Sequence, residues 1–203
     1  MYTGITQGLF PVTFVSKQAG LVSYRVRLSP ELLQGLAIGA SVSVDGVCQT
    51  VVAIEQNEVS FDAIAETCRK TTLAELKIAQ MVSIERSAVI GAEIGGHAMY
   101  GHVYGTGSIV AREASANNLQ LCIACPAAMM SYIFEKGFIG VNGSSLTVNG
   151  VDLDNHTFRI NLIPHTLAVT DFGNKQIGDP VNLELDANVI TIVETIKRMK
   201  LHN

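Results

Sequence analysis

Two short strings in this chain could do chemistry, and they stand ninety-seven positions apart: Cys48-Gln49-Thr50 and Ser145-Leu146-Thr147. On an extended strand, side chains two apart share a face, so each string sets a thiol or hydroxyl beside a threonine hydroxyl. Such a face can hydrogen-bond the polar edge of a planar ring. The Cys48 thiol is also a nucleophile once its pKa is lowered, and Ser145 offers a hydroxyl in the matching place. The alternative roles are a buried structural cysteine and ordinary strand threonines. The retention of Thr at the same offset in both strings favours a shared binding face.

Further groups lie elsewhere. Gly95-Gly96-His97-Ala98-Met99-Tyr100-Gly101-His102 combines glycines, which let backbone approach a ligand, with two imidazoles able to move protons near neutral pH. Histidines five apart share no helix face and no third ligand is near, so no metal site is expected. Cys122 and Cys125 have the C-x-x-C spacing, but zinc would want a second such pair; they read as core residues on opposite strand faces. Asp62 to Thr67 and Asn161 to Thr166 end strands in equivalent places, and Lys136 precedes Gly137 at the foot of the second string's strand.

These groups need a scaffold, and the sequence writes it twice. SVSVDGVCQTVVAI, from Ser41 to Ile54, returns as FIGVNGSSLTVNGV, from Phe138 to Val151. Apolar alternation, an Asp-Gly or Asn-Gly corner, then alternation again is a strong signal for a tight hairpin. Gly4 and Gly8 fall on Gly101 and Gly105 at the same offset. Thr67, Thr71, Ile78, Val82 and Glu85 fall on Thr166, Thr170, Ile177, Val181 and Glu184 at ninety-nine, which two inserted residues near Asp152 to His156 explain. A period near one hundred means duplicated domains, since solenoid repeats are shorter.

Within each copy, short alternating runs such as Leu21 to Leu28, Val59 to Asp62 and Met81 to Glu85 are broken by Gly, Asn and Asp. They predict a closed antiparallel barrel of about six strands per copy. One short helix is expected in each: Ser29 to Leu33, with Ser29 as its N-cap and Pro30 in the first turn, and a segment after Pro126 carrying Met129, Met130, Ile133 and Phe134. After Asp186 the period changes to that of a helix, with Val189, Ile192, Ile196 and Met199 in an a/d-like seam. That seam suits either packing on a barrel or self-association.

Composition narrows the function. With 48% hydrophobic and 16% charged residues among 203, the chain buries a large core and is not disordered. A formal charge of −4 argues against nucleic acid, which demands a basic surface. No apolar run approaches a membrane span, and MYTGITQG lacks the features of a signal peptide. Four irregularly placed cysteines make no disulfide framework, and a cytoplasmic location is expected.

Taken together, MYTGITQG, the Cys48 string, GGHAMYGHV, KGFIGVNGSSLTV and LIPHTL followed by Thr170 resemble the riboflavin synthases of the α-subunit type over essentially the whole chain. The resemblance implies an all-β fold: two similar six-stranded antiparallel Greek-key barrels over 1–97 and 98–186, with a C-terminal trimerisation helix over 187–203. It implies that two molecules of 6,7-dimethyl-8-ribityllumazine react, a four-carbon unit passing from one to the other, to give riboflavin and 5-amino-6-(ribitylamino)uracil without metal or cofactor. It further implies a homotrimer, with association with lumazine synthase as a further partner, and sites between the first barrel of one subunit and the second barrel of a neighbour.

By the same resemblance, the first lumazine is assigned to Gly4, Ile5 and Thr6, to Cys48, Gln49 and Thr50, and to Asp62, Ala63, Ile64, Ala65, Glu66 and Thr67. The second is assigned to Gly101, His102 and Val103, to Lys136, to Ser145, Leu146 and Thr147, and to Leu162, Ile163, Pro164, His165 and Thr166. Catalytic roles are expected for Cys48 and His102 first, then Ser145, His97, Ser41 and Asp186. The chain departs from the family pattern at Tyr2 (usually Phe), Tyr104 (often Asp) and Gln49 (usually Leu). A non-catalytic lumazine- or flavin-binding antenna protein of the same fold is the alternative.

Overall fold

A computed structural model describes residues 1–200. Barrel 1 is built from β1 (Gly8–Gln18), β2 (Leu21–Arg27), β3 (Ser41–Val44), β4 (Val47–Glu55), β5 (Glu58–Ile64) and β6 (Met81–Arg86). Barrel 2 is built from β7 (Gly105–Ser115), β8 (Asn118–Ala124), β9 (Phe138–Val141), β10 (Ser144–Asp152), β11 (Thr157–Leu162) and β12 (Pro180–Leu185). Around barrel 1 the order is β1-β2-β5-β4-β3-β6, and barrel 2 closes in the corresponding order. Each barrel fills with its own aliphatic cluster, around Val26, Val59 and Phe61 in the first and Ile109, Ile123 and Phe158 in the second. The predicted strand alternation produces this: inward residues are apolar, and closure leaves no unpaired sheet edge.

Both repeated corners are hairpin turns with two left-handed residues, Asp45 (φ 45) and Gly46 (φ 81) in one, Asn142 (φ 43) and Gly143 (φ 83) in the other. Positive φ at both central positions is the turn whose twist suits adjoining strands, and Asp-Gly and Asn-Gly tolerate it. The corners meet face to face. A Cβ on Gly46 would stand 2.5 Å from the Gly143 nitrogen. The turn from β10 to β11 is longer than that from β4 to β5 by the expected two residues and is held by Asp152, whose carboxylate accepts from the Asp154 and Asn155 amides.

Helices differ from expectation in three places. α1 (Pro30–Leu33) forms, but the Ser29 side chain caps nothing; its carbonyl takes the first amides instead. The segment after Pro126 is a 3-10 turn over Ala127–Tyr132, so Met129, Met130 and Ile133 are buried while Phe134 is exposed. Two unpredicted helices follow the matched strand ends: α2 (Ala65–Lys70) after β5 and α3 (Pro164–Val169) after β11. Neither has a side-chain cap at its start, and the one sequence signal was Pro164 in the first turn of α3.

α4 (Ala187–Lys200) leaves β12 with Asp186 as its cap, accepting from the Asn188 and Val189 amides at 2.7 and 3.0 Å. Its seam divides. Val189, Ile190 and Val193 pack on the core of barrel 2, whereas Ile192, Ile196 and Met199 are exposed. The last three positions of the expected 187–203 helix lie outside the described residues. No described helix is long and apolar enough to cross a membrane.

Candidate functional site

β3 and β4 carry the first chemical face. Ser41 is paired with Thr50, and Ser43 with Cys48, so these four side chains share the outer side of barrel 1. The register repeats in barrel 2, where Phe138 is paired with Thr147 and Gly140 with Ser145. Cys48 and Ser145 are half-buried, Thr50 and Thr147 exposed, as the period of two requires. Between them the chain turns inward: Gln49 and Leu146 are buried inside their barrels. Gln49 there receives a hydrogen bond from the Tyr24 hydroxyl at 3.2 Å. Ala63 and Leu162 are fully buried core residues. The expected substrate contacts of these four are thereby limited to their backbone groups.

The segments before each barrel cross over. The Ser145 amide donates to the Gly4 carbonyl at 2.8 Å, and the Cys48 amide to the Gly101 carbonyl at 2.9 Å. Thr6 Oγ1 lies 3.2 Å from Ser144 Oγ, and Val103 packs on the core of barrel 1. The expected grouping of Gly4, Ile5 and Thr6 with Cys48, and of Gly101, His102 and Val103 with Ser145, is corrected: each arm borders the other barrel's wall. Contact is close. A Cβ on Gly4 would stand 2.5 Å from Ser145 Cβ, and one on Gly101 would stand 2.6 Å from Cys48 Cβ.

The two walls are finished differently. On barrel 1, the buried Tyr2 donates its hydroxyl to Cys48 Sγ at 3.3 Å. Burial, reinforced by Cys48, raises the Tyr2 phenol well above its usual range, so it stays a donor. On barrel 2, His97 Nδ1 lies 2.6 Å from Ser145 Oγ, and its ring stacks on Phe138 with centroids 5.0 Å apart. Burial lowers the His97 pKa, partly offset by the Asp186 carboxylate, so the ring is neutral near pH 7. Its Nε2 is buried with no hydrogen-bond partner among the described residues. A neutral imidazole against a serine hydroxyl can take its proton as the oxygen attacks.

Other expected residues lie along or around these walls. His102 is exposed and stacks loosely on Tyr100, and among the described residues no hydrogen bond ties its ring to Cys48. Ser41 is half-buried; its carbonyl accepts from Ser87 Oγ. Asp186, expected as catalytic, is occupied as the α4 cap and reaches His97 through its charge. Asp62 is exposed and accepts from Ser23 Oγ at 2.6 Å, with Ile64, Ala65 and Glu66 exposed beyond it and Thr67 half-buried. Ile163, Pro164 and His165 are likewise exposed along barrel 2, with Thr166 half-buried. Lys136 is exposed and takes up a left-handed conformation (φ 65). Cys122 is half-buried and Cys125 buried, its thiol pushed up to about 11 by desolvation.

Sequence reasoning missed two glutamates. Glu85 accepts from the Thr3 and Gly4 amides at 2.7 and 3.0 Å, and Glu184 from the Tyr100 and Gly101 amides at 2.6 and 3.0 Å. Both carboxyl pKa values are raised by burial, with those amides opposing it. The signal was present: the two residues match at the repeat's second offset.

A family model described as the lumazine binding domain matches residues 3–87 and again 100–186. The riboflavin synthase of Escherichia coli (strain K12) is 40% identical over 200 residues, covering 98% of this chain and 93% of that one. The riboflavin synthase of Chlamydia pneumoniae is 38% identical over 199 residues, covering 98% and 96%. Among solved structures, LumP complexed with riboflavin superposes with a TM-score of 0.85 at 25% identity, covering 92% of this chain and 100% of that chain.

Proposed function

The chain belongs to the riboflavin synthase family, and on that premise we infer that it converts two 6,7-dimethyl-8-ribityllumazines into riboflavin and 5-amino-6-(ribitylamino)uracil. The observation that carries this is the doubled wall: two matched strand faces with hydroxyl or thiol groups, each bordered by a glycine arm. One substrate lies against Cys48, Thr50 and the Gly101 to Val103 arm, along Asp62 to Thr67. The other lies against Ser145, Thr147 and the Gly4 to Thr6 arm, along Lys136 and Leu162 to Thr166. Carbon moves between two copies of one compound, so the reaction balances without an external oxidant.

The C7 methyl of the lumazine is acidic because the ring delocalises the anion, so modest base assistance suffices. Holding two rings in register then supplies much of the rate. His97, neutral and hydrogen-bonded to Ser145, suits the proton-transfer role on barrel 2. Cys48, with Tyr2 fixing its sulfur, suits nucleophilic or hydrogen-bonding assistance on barrel 1. His102, beside the Gly101 carbonyl on the exposed side of the arm, is a second proton carrier.

In one chain both walls are open surfaces. Thr50, Thr147, Ile64 and Ile163 are all exposed, which supports sites completed when barrel 1 of one subunit faces barrel 2 of another. The exposed stripe of Ile192, Ile196 and Met199 supports a homotrimer built through α4, with 1–97, 98–186 and 187–203 as its working units. A cytoplasmic location and association with lumazine synthase belong to the same reading and rest on family membership alone.

The test is turnover. Purified protein given dimethyl-ribityllumazine and nothing else is expected to produce yellow, green-fluorescent riboflavin. Tight binding without product would overturn the assignment in favour of a ligand-holding antenna.

A further inference from the structure

Neither barrel completes its own wall. The backbone of the first arm is anchored on β6 of barrel 1 through Glu85, yet its Gly4 carbonyl takes the Ser145 amide of barrel 2. The second arm is anchored on β12 of barrel 2 through Glu184, yet its Gly101 carbonyl takes the Cys48 amide of barrel 1. Each carboxylate accepts two successive amides, and Glu85 also accepts from Thr3 Oγ1 at 2.8 Å. Both glutamates are buried. A carboxylate has only acceptors and satisfies both amides at once, whereas the glutamine amide would turn an N–H against one of them.

We propose that Glu85 and Glu184 are positioning residues acting crosswise: Glu85, in barrel 1, sets the substrate wall of barrel 2, and Glu184, in barrel 2, sets that of barrel 1. The inference rests on the reading that these walls hold lumazines. The arms leave little tolerance, since any Cβ at Gly4 or Gly101 collides with Ser145 or Cys48. An arm that loses one anchoring amide therefore shifts against the wall it borders, and not against the wall of the barrel that held it.

The experiment separates the sites with a dead-end ribityllumazine carrying oxygen in place of the C7 methyl, titrated calorimetrically into the intact assembly. Thr50→Val disables the barrel 1 wall and reports barrel 2; Thr147→Val does the reverse. Glu85→Gln is expected to weaken binding about tenfold in the Thr50→Val background and less than about twofold in the Thr147→Val background, since sub-ångström misplacement suffices for such losses. Glu184→Gln is expected to give the mirror image. Loss confined to the glutamate's own barrel, or equal loss in both backgrounds, overturns the proposal. Gly4→Ala and Gly101→Ala displace the arms without touching either carboxylate, and must reproduce the patterns of Glu85→Gln and Glu184→Gln respectively. They decide the matter if a glutamine variant fails to fold. A parent protein that binds the dead-end ligand but makes no riboflavin refutes the enzymatic reading and leaves the crossed pattern to be judged by itself.

Discussion

Around Cys48 the wall is finished by a tyrosine; around Ser145 it is finished by a histidine. The backbones beneath are near copies, with the same strand order, corner and arm. At the walls the difference lies in side chains that touch the reacting face or the interior behind it. Tyr2 and Met99, ninety-seven apart, bridge to each other by backbone, yet one reaches a sulfur and the other packs over Gly140. Behind the wall, barrel 1 holds the Tyr24–Gln49 hydrogen bond where barrel 2 holds Leu121 and Leu146. The duplication thus keeps geometry fixed while chemistry diverges, as two unequal roles for one compound require.

The largest asymmetry to break is that only barrel 2 carries α4. Ile192→Glu with Ile196→Glu, on the exposed stripe, is expected to give monomers by sedimentation and to lower turnover by at least about 10³-fold, because the two reactants are no longer held together. Melting should change little, since neither residue packs on a barrel. A fully active monomer would show that each chain holds both substrates alone.

Next is the chemistry of the walls. His97→Gln is expected to lower kcat on the order of 10²-fold, the scale of general base assistance, and Ser145→Ala with it should add little more. Because burial lowers the His97 pKa, the active neutral ring persists to lower pH than an ordinary histidine's, so the acid limb of the kcat profile should lie on the acid side of the ordinary histidine range and vanish in His97→Gln. Cys48→Ala should lower kcat without moving that limb. A limb unchanged by His97→Gln would remove the histidine from the reaction.

The interior pair comes third. Gln49→Leu copies barrel 2 but strands the Tyr24 hydroxyl, costing on the order of 1–3 kcal/mol in denaturant unfolding, and adding Tyr24→Phe should restore most of it. Restoration failing would mean that the pair does not act as a unit.

The last difference is at the corners, and it shows as a pH slope. Asp45 is buried and desolvation pushes its pKa up to about 7, where its counterpart is Asn142. A carboxyl raised in the folded state stabilises fully below its unfolded pKa, near 4, and that contribution is lost as pH rises toward 7. The slope there is up to about 1.4 kcal/mol per pH unit. Asp45→Asn keeps the acceptor for the Ser83 amide and should flatten stability between pH 4 and 7 in thermal melts. An unchanged slope would place the titration elsewhere.

Much of this was legible in the sequence. The doubled corner, the six-strand pattern and the Cys48 and Ser145 faces all follow from period-two alternation around Asp-Gly and Asn-Gly. Family resemblance supplied the strand-end segments and the substrate. What resisted was long-range: nothing in MYTGIT shows that Gly4 will meet Ser145, because the match at ninety-seven pairs it with Gly101 and says nothing about crossing. Gln49 looked like a wall residue within its string, but the alternation that exposes Cys48 and Thr50 turns it inward. α2 and α3 lacked capping side chains, and Phe134 left the stripe because a 3-10 turn has a different period.

The crossed arms also impose an order on synthesis. Strand β6 is complete by residue 86, so the hydrogen-bonded circuit of barrel 1 can close while the second repeat is still being made. Residues 3–6 are made before any of the second repeat, yet the amide that donates to the Gly4 carbonyl belongs to Ser145. The first arm, though anchored on Glu85, therefore gains its last partner only with Ser145, and the wall beside Cys48 stays unfinished until Gly101 arrives. A nascent first repeat has a closed sheet and no finished site.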